Sequence, residues 1–110
     1  MDIPYNKDVE QVILGIFLQD QDKAYIIAQT IKPEYFYDTR LRLIYPVALD
    51  IFTSLGMCDA ILLSNELEKR GLLDKVGGEP FLTEVRLSVP TNTSELNFQK
   101  YLETLIKKYQ

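Results

Sequence analysis

The chain has 110 residues and no histidine, and its 12 Lys and Arg against 16 Asp and Glu give a net charge of −4. This length predicts a single domain with one hydrophobic core, and the acidic balance argues against a surface that neutralises DNA phosphates. The chain has a single cysteine, no basic leader before an apolar stretch and no apolar run near the ~20 residues that cross a bilayer. These features predict a cytoplasmic protein without disulfides or membrane spans.

The first predicted helix is amphipathic and contains a glycine. Asn6 is a suitable N-cap, and apolar residues then recur at helical spacing to form one buried stripe. These residues are Val9, Val12, Ile13, Ile16 and Phe17. Leu14 and Leu18 widen the stripe, which predicts contacts on more than one side. Gly15 costs about 1 kcal/mol of helix propensity relative to alanine, so we interpret it as the position of a close helix crossing.

Two further helices are predicted in the middle of the chain. The second is capped by Asp22 and ends before Pro33, which disfavours a helical conformation of the residue preceding it. The third covers Thr39–Leu55 with Asp38 as its N-cap. Pro46 conflicts with an uninterrupted third helix because a proline inside a helix costs about 3 kcal/mol. Either this helix is kinked at Pro46 or a new helix starts there, and we favour the kink.

Three more helices are predicted in the second half of the chain. Gly56 suits the end of the third helix and Asp59 the N-cap of the fourth, which stops at Gly71. The apolar residues assigned to the fourth helix are Ile61, Leu62, Leu63 and Leu67. Pro80 suits the first position of the fifth helix. The last helix, in residues 96–109, carries apolar residues over more than half of its circumference, which is more than one core contact needs. Since no segment alternates like a strand, the sequence predicts an all-α bundle of about six helices.

The residues that most enzymes use are missing. Without histidine there is no usual general base, triad partner or imidazole metal ligand, and a single cysteine, Cys58, excludes a thiolate zinc site. The five glycines do not fit the spacing of a phosphate-binding P-loop, and Gly77 and Gly78 are interpreted as a turn. Arg40 and Arg42 are interpreted as ion-pair or helix-terminal residues, and the acidic pairs as solvated helix faces. We therefore predict no catalytic, cofactor-binding or metal-binding residue in this chain.

Several short motifs follow one another along nearly the whole chain. They are Pro4, the segment 8–15 (Asp-Val-Glu-Gln-Val-Ile-Leu-Gly), Phe36 with Tyr37, the segment 42–45 (Arg-Leu-Ile-Tyr), Gly56, Asp59, Leu63, Leu67, Gly71, Leu73, Val76, Gly77, Gly78, Phe81, Leu82 and Pro90. Each motif alone is ordinary for helices and turns. Their order and spacing together resemble the N-terminal domain of the DnaB-type replicative DNA helicases of bacteria or phages.

The resemblance implies a compact orthogonal bundle whose last helix is the first arm of a truncated dimerisation hairpin. Residues 1–110 would form a non-catalytic collar domain without a cofactor, and the ATPase motor of a hexameric helicase, with its ATP and Mg²⁺, would be absent from this chain. The implied partners are primase, neighbouring helicase subunits and a helicase loader, with no direct DNA binding and no membrane contact. The candidate oligomer or partner surface consists of Leu96, Phe98, Tyr101, Leu105, Ile106 and Tyr109.

Three alternatives stand beside this interpretation. The helicase-interaction domain of a primase, or another small replication-protein binding module, has a similar helical organisation. A DNA-binding module would use the helix after Asp59 for recognition, but Glu66 and Glu68 on that helix oppose contact with phosphates. A stand-alone enzyme is disfavoured by the missing histidines and motifs.

Overall fold

The chain forms six α-helices and one short 3₁₀ helix in the computed structural model, which describes residues 3–91 and 93–109, with side chains for 9–91 and 93–107. In chain order these are α1 (Ile3–Gln19), α2 (Gln21–Thr30), the 3₁₀ helix (Pro33–Tyr35), α3 (Thr39–Leu55), α4 (Ala60–Lys69), α5 (Gly78–Leu87) and α6 (Glu95–Tyr109). No strand occurs in these described residues, so the predicted all-α fold is confirmed.

The first helix lies at the centre of the bundle. α1 packs against α2, α3, α5 and α6. Its side chains Ile13, Leu14 and Phe17 are almost completely buried, and Leu18 is buried as well. An amphipathic helix on a protein surface buries one stripe, whereas α1 buries side chains in several directions. The prediction that this helix is covered on more than one side is therefore confirmed.

At Gly15, α1 lies against the backbone of α5 and against Val89, which follows that helix. A Cβ atom built on Gly15 would lie 2.5 Å from Cγ2 of Val89 and 2.7 Å from the carbonyl oxygen of Val85. Neither distance is compatible with a normal van der Waals contact. The glycine is thus required by the packing of two helices, as the sequence predicted.

The boundaries of three helices differ from those predicted. α1 begins at Ile3, so Asn6 lies inside the helix and is not its N-cap. α2 is capped by Asp20, whose side chain accepts a hydrogen bond from the backbone N–H of Lys23, and Asp22 lies in its first turn. α5 begins at Gly78, so Pro80 is the third residue of the helix and not the first. Proline is still tolerated there because the first four N–H groups of a helix have no partner within the helix.

The other predicted helix ends agree with the structure. Asp38 accepts from the backbone N–H of Arg40, and Asp59 accepts from that of Leu62. Gly56 ends α3 with φ of 79°, a left-handed conformation that favours glycine. α3 continues through Pro46, so the alternative of a new helix starting at this residue is wrong.

The core is closed by aromatic side chains and one hydroxyl. Tyr45 is fully buried and lies against the rings of Phe17 and Phe36, with centroids 5.7 and 5.1 Å away. Its hydroxyl donates towards the carbonyl oxygens of Ile27 and Ile31, at 3.1 and 2.8 Å, near the end of α2. Burial raises the pKa of this hydroxyl. The polar group of Tyr45 is therefore satisfied inside the core, as buried polar groups must be.

Among the described residues, no single helix has both the length and the apolar composition needed to cross a membrane. α3 and α4 reach that length and composition only when taken together, and the chain bends by 113° between them. Both helices bury apolar side chains within the domain, among them Leu41, Ile44, Leu63 and Leu67.

Candidate partner-binding surfaces

The last helix is attached to the rest of the domain along one face. α6 packs against α1 and the 3₁₀ helix. Its start is fixed by Ser94, whose hydroxyl oxygen accepts a hydrogen bond of 3.0 Å from the backbone N–H of Asn97. Lys23 of α2 supports the same end, with Nζ 5.6 Å from the ring centroid of Phe98 and 4.0 Å from a carboxylate oxygen of Glu95.

The six residues predicted as the partner surface of α6 differ in how far they are exposed to solvent. Phe98 and Leu105 are fully buried in the domain's own core, so their assignment to an outer surface is wrong. Leu96 is 66% exposed, and Tyr101 and Ile106 are half-buried. The side chain of Tyr109 lies outside the described residues.

Helical spacing explains these differences in exposure. Phe98, Leu102 and Leu105 recur at i, i+4 and i+7 and therefore share the face that packs on α1. Leu96 lies on the opposite face among polar exposed residues. These are Gln99, Lys100, Glu103 and Lys107. The sequence analysis overestimated the accessible apolar surface of α6, because Phe98, Leu102 and Leu105 are buried in the domain's own core.

A buried carboxylate connects α1 with the start of α3. Glu10 is 0% exposed. Its Oε2 accepts a hydrogen bond of 2.9 Å from the backbone N–H of Tyr37, and its Oε1 accepts one of 3.0 Å from that of Asp38. Sequence analysis placed Glu10 only within a family motif. The available signal was its position three and four residues before Ile13 and Leu14, which places it on the buried side of α1.

Next to this carboxylate, an arginine at the start of α3 forms an ion pair with the N-cap of the same helix and stacks on a ring of α5. The Arg40 guanidinium donates to both oxygens of Asp38, at 3.1 and 2.8 Å, and its central carbon lies 3.7 Å from the ring centroid of Phe81. Nearby, Gln11 donates to Glu84 across α1 and α5 at 3.2 Å. The ion-pair interpretation of Arg40 is confirmed, and this surface is a fixed structural junction rather than a free basic patch.

The Asp38–Arg40 pair predicts a specific loss of stability in acid. The side-chain hydrogen bond from Arg40 lowers the pKa of Asp38, burial opposes this, and the Arg40 backbone N–H lowers it further. A carboxylate with a depressed folded pKa contributes stability above its unfolded pKa of about 4, and the contribution is lost as pH falls through the folded value. We expect wild type to be about 1 kcal/mol more stable than Asp38→Asn at neutral pH, because asparagine keeps the cap but loses the charge.

Thermal unfolding of both proteins between neutral pH and pH values below the unfolded pKa of Asp38 tests this expectation. The difference between them should shrink as pH falls. A constant difference over the whole range would contradict the assigned role of the Asp38 charge.

A second exposed region surrounds α4. Ile61 was predicted as part of the buried stripe of α4, but it is 71% exposed, and only Leu63 and Leu67 of that set are fully buried. Tyr25 of α2 and Leu55 of α3 are likewise 58% and 61% exposed. Periodicity identifies the apolar positions of a helix but not which of them the neighbouring helices cover.

The remaining chemical candidates have structural roles. Gly77 and Gly78 have φ of 100° and 68°; Gly77 is the N-cap of α5 and Gly78 is its first residue. Arg42 donates to the carbonyl oxygen of Phe36 at 2.9 Å. Glu66 pairs with Arg70, which also contacts Asp50 of α3 at 3.1 Å. Within the part of the chain that the structure describes, no group of three His, Cys, Asp or Glu residues could hold a metal ion.

Comparison with known proteins identifies the family. The sequence profile of the family described as DnaB-like helicase N terminal domain matches residues 2–107. The chain belongs to this family. The DnaB-like N-terminal domain is non-catalytic, and full-length relatives are replicative helicases.

Named relatives agree with this family. The chain is 31% identical over 88 residues, 80% of its length, to the replicative DNA helicase DnaB of Mycobacterium leprae, and 28% identical over 100 residues, 91% of its length, to the replicative DNA helicase DnaC of Bacillus subtilis. It spans only 15% and 22% of these two relatives. The DnaB-like domain therefore corresponds to a small part of each.

A solved structure has the same fold. The crystal structure of the N-terminal domain of DnaB helicase from Mycobacterium tuberculosis superposes with a TM-score of 0.81 at 29% sequence identity. The likeness covers 92% of this chain and 71% of the solved one. The all-helical fold implied by the resemblance is therefore found in an experimentally determined DnaB domain.

Proposed function

We propose that this domain is the N-terminal, partner-binding part of a cytoplasmic replicative DNA helicase and helps to assemble the collar of its hexamer. The observation that carries the proposal is the common fold, which extends over 92% of the chain at 29% identity to a DnaB N-terminal domain. The named relatives are much longer than the chain. In this proposal the ATP- and Mg²⁺-dependent motor belongs to the rest of the protein, and the domain itself does not bind DNA.

The proposed pairing element is α6. Its buried face holds it on the domain through Phe98 and Leu105, while Leu96, Tyr101 and Ile106 keep accessible apolar surface. A second helix lying beside α6 as the other arm of a hairpin would cover Leu96 and Ile106, which lie on neighbouring sides of the helix, whereas Tyr101 lies on the other flank of the buried face. Burial of apolar area of this kind is the main driving force of helix pairing in water.

Primase is the second partner in the proposal, and a helicase loader the third. Support comes from membership of the DnaB-like helicase N-terminal domain family. The alternative assignment as a primase domain has no such support, because the named relatives are helicases.

We predict that the 110-residue chain sediments as a monomer or a weak dimer at micromolar concentrations. The reason is that only one arm of the proposed hairpin is present, so a neighbouring copy finds too little apolar surface to bind tightly. Sedimentation velocity over a concentration series measures this directly. A tight hexamer of the isolated chain would contradict the proposed pairing mode.

The longer protein, carrying the sequence that follows α6, provides the complementary experiment. It should form a hexamer, Leu96→Ser should weaken that hexamer, and the neighbouring polar change Gln99→Ser should not. The same hexamer should bind the primase encoded in the same genome, as measured by isothermal titration. A hexamer that gives no binding signal with primase would remove primase from the proposal and leave collar assembly intact.

A further inference from the structure

A groove of about 480 Å³ lies between α4 and α5, away from the α6 surface. Its apolar lining comprises Leu18, Ala60, Ile61 and Leu82. Leu18 and Leu82 are buried beneath it, whereas Ile61 is 71% exposed at its edge. Binding sites typically combine an apolar lining with a small number of polar groups, and volumes of roughly 300–1,000 Å³ are common for them.

The rim of the groove is more acidic than basic. Asp59 and Glu79 line it together with one basic residue, Arg86. The Asp59 carboxylate accepts from the backbone N–H of Leu62 at 2.8 Å, and Glu79 accepts from the hydroxyl of Ser64. A carboxylate offers about four acceptor sites, so both can accept further hydrogen bonds from a partner. Charge complementarity therefore favours a partner that places cations beside the groove.

The shape of the groove favours a helical partner. Its walls are two helices, and no strand in the described residues offers an edge for an added strand. Recognition of this kind of surface uses an amphipathic helix whose aliphatic side chains enter the groove. An aliphatic side chain next to Ile61 would remove the largest exposed apolar group of the groove from water.

We propose that the α4–α5 groove binds an amphipathic helix of a partner protein, with an aliphatic side chain against Ile61 and flanking lysine or arginine residues against Asp59 and Glu79. This surface is separate from the pairing surface of α6 and would give the proposed collar a binding site for a further protein. Its failure leaves the collar proposal unchanged, since the two depend on different helices.

Two matched synthetic peptides test the proposal with the 110-residue chain. One is an amphipathic helix with a leucine stripe flanked by lysines, and the other replaces every lysine with glutamate. Amide chemical shifts measured during titration should change around α4 and α5 with the lysine peptide and not with the glutamate peptide. Because nearby charges are screened by salt, the affinity of the lysine peptide should fall as ionic strength rises.

Three variants distinguish peptide binding in the groove from a general attraction of the peptide to an acidic protein. Ile61→Ser should weaken binding at least about tenfold, since an isoleucine contact would be lost. Leu87→Ser changes a similarly exposed residue, 69% exposed and outside the groove lining, and should alter binding less than about twofold. Asp59→Asn keeps the helix cap but loses the charge, and should weaken binding about threefold at low salt.

Three outcomes would overturn the proposal. The first is equal binding of the lysine and glutamate peptides, and the second is an equal effect of Ile61→Ser and Leu87→Ser. The third is a sedimentation result in which Ile61→Ser abolishes self-association of the chain, because a second copy would then be the occupant. Melting temperatures of all variants close to wild type ensure that lost binding reflects the surface and not unfolding.

Discussion

Replacing Glu10 with alanine should lower the free energy of unfolding by about 3 kcal/mol, a large share of the stability of a domain this size. The Glu10 carboxylate is fully buried and accepts the backbone N–H groups of Tyr37 and Asp38. Alanine removes both acceptors and leaves two donors without these bonds at the entry to α3. Hydrogen bonds to a charged group are stronger than neutral ones, which increases the effect.

Urea unfolding followed by circular dichroism measures this change, and two variants serve as controls. Gln11→Ala removes only a surface hydrogen bond of 3.2 Å to Glu84 and should cost less than about 1 kcal/mol. Glu10→Gln keeps the volume but offers a single oxygen acceptor, so its loss should be intermediate. Equal losses for Glu10→Ala and Gln11→Ala would show that the buried carboxylate has no special role.

Alanine at Gly15 should destabilise the domain by about 2 kcal/mol although alanine is the better helix former. The new methyl group would lie 2.5 Å from Cγ2 of Val89 and 2.7 Å from the carbonyl oxygen of Val85. A substitution can shorten the side chain of Val89, but the Val85 carbonyl belongs to the backbone of α5 and stays in every variant. α1 and α5 must therefore move apart to admit the methyl group.

A double mutant distinguishes the two clashes. In the Gly15→Ala background, the additional change Val89→Ala should recover part of the lost stability and not all of it, because the Val85 carbonyl remains in place. Thermal unfolding of the single and double variants gives the coupling. A Gly15→Ala protein more stable than wild type would contradict the close crossing of α1 and α5.

The sequence predicted those features of the fold that depend on local chemistry. Asp38, Asp59 and Gly56 act within one helical turn of their own positions, so their roles as caps were predictable. The segment 19–22 alternates Gln and Asp and offers two caps for α2. The structure uses Asp20, leaving only this residue between α1 and α2. This choice depends on how α2 packs Ala24 and Ile27 into the core, which no local signal contains.

The candidate surfaces were less predictable because they depend on which helices meet. Phe98 and Leu96 are both apolar residues of α6, yet one is fully buried and the other is 66% exposed. On α4, Ile61 is likewise 71% exposed although Leu63 of the same helix is fully buried. The role of Glu10 depends on backbone groups 27 and 28 residues away, so it could be found only once α1 and α3 were placed together.

The single cysteine has a practical consequence for experiments on this domain. Cys58 is buried, and burial raises the pKa of its thiol to about 12, with the nearby Asp59 charge adding to the shift. Reaction with maleimides or iodoacetamides requires the thiolate, and both the raised pKa and the burial of Cys58 disfavour that form at neutral pH. A cysteine introduced on the surface should therefore accept a fluorophore or spin label selectively while the native thiol is left in place.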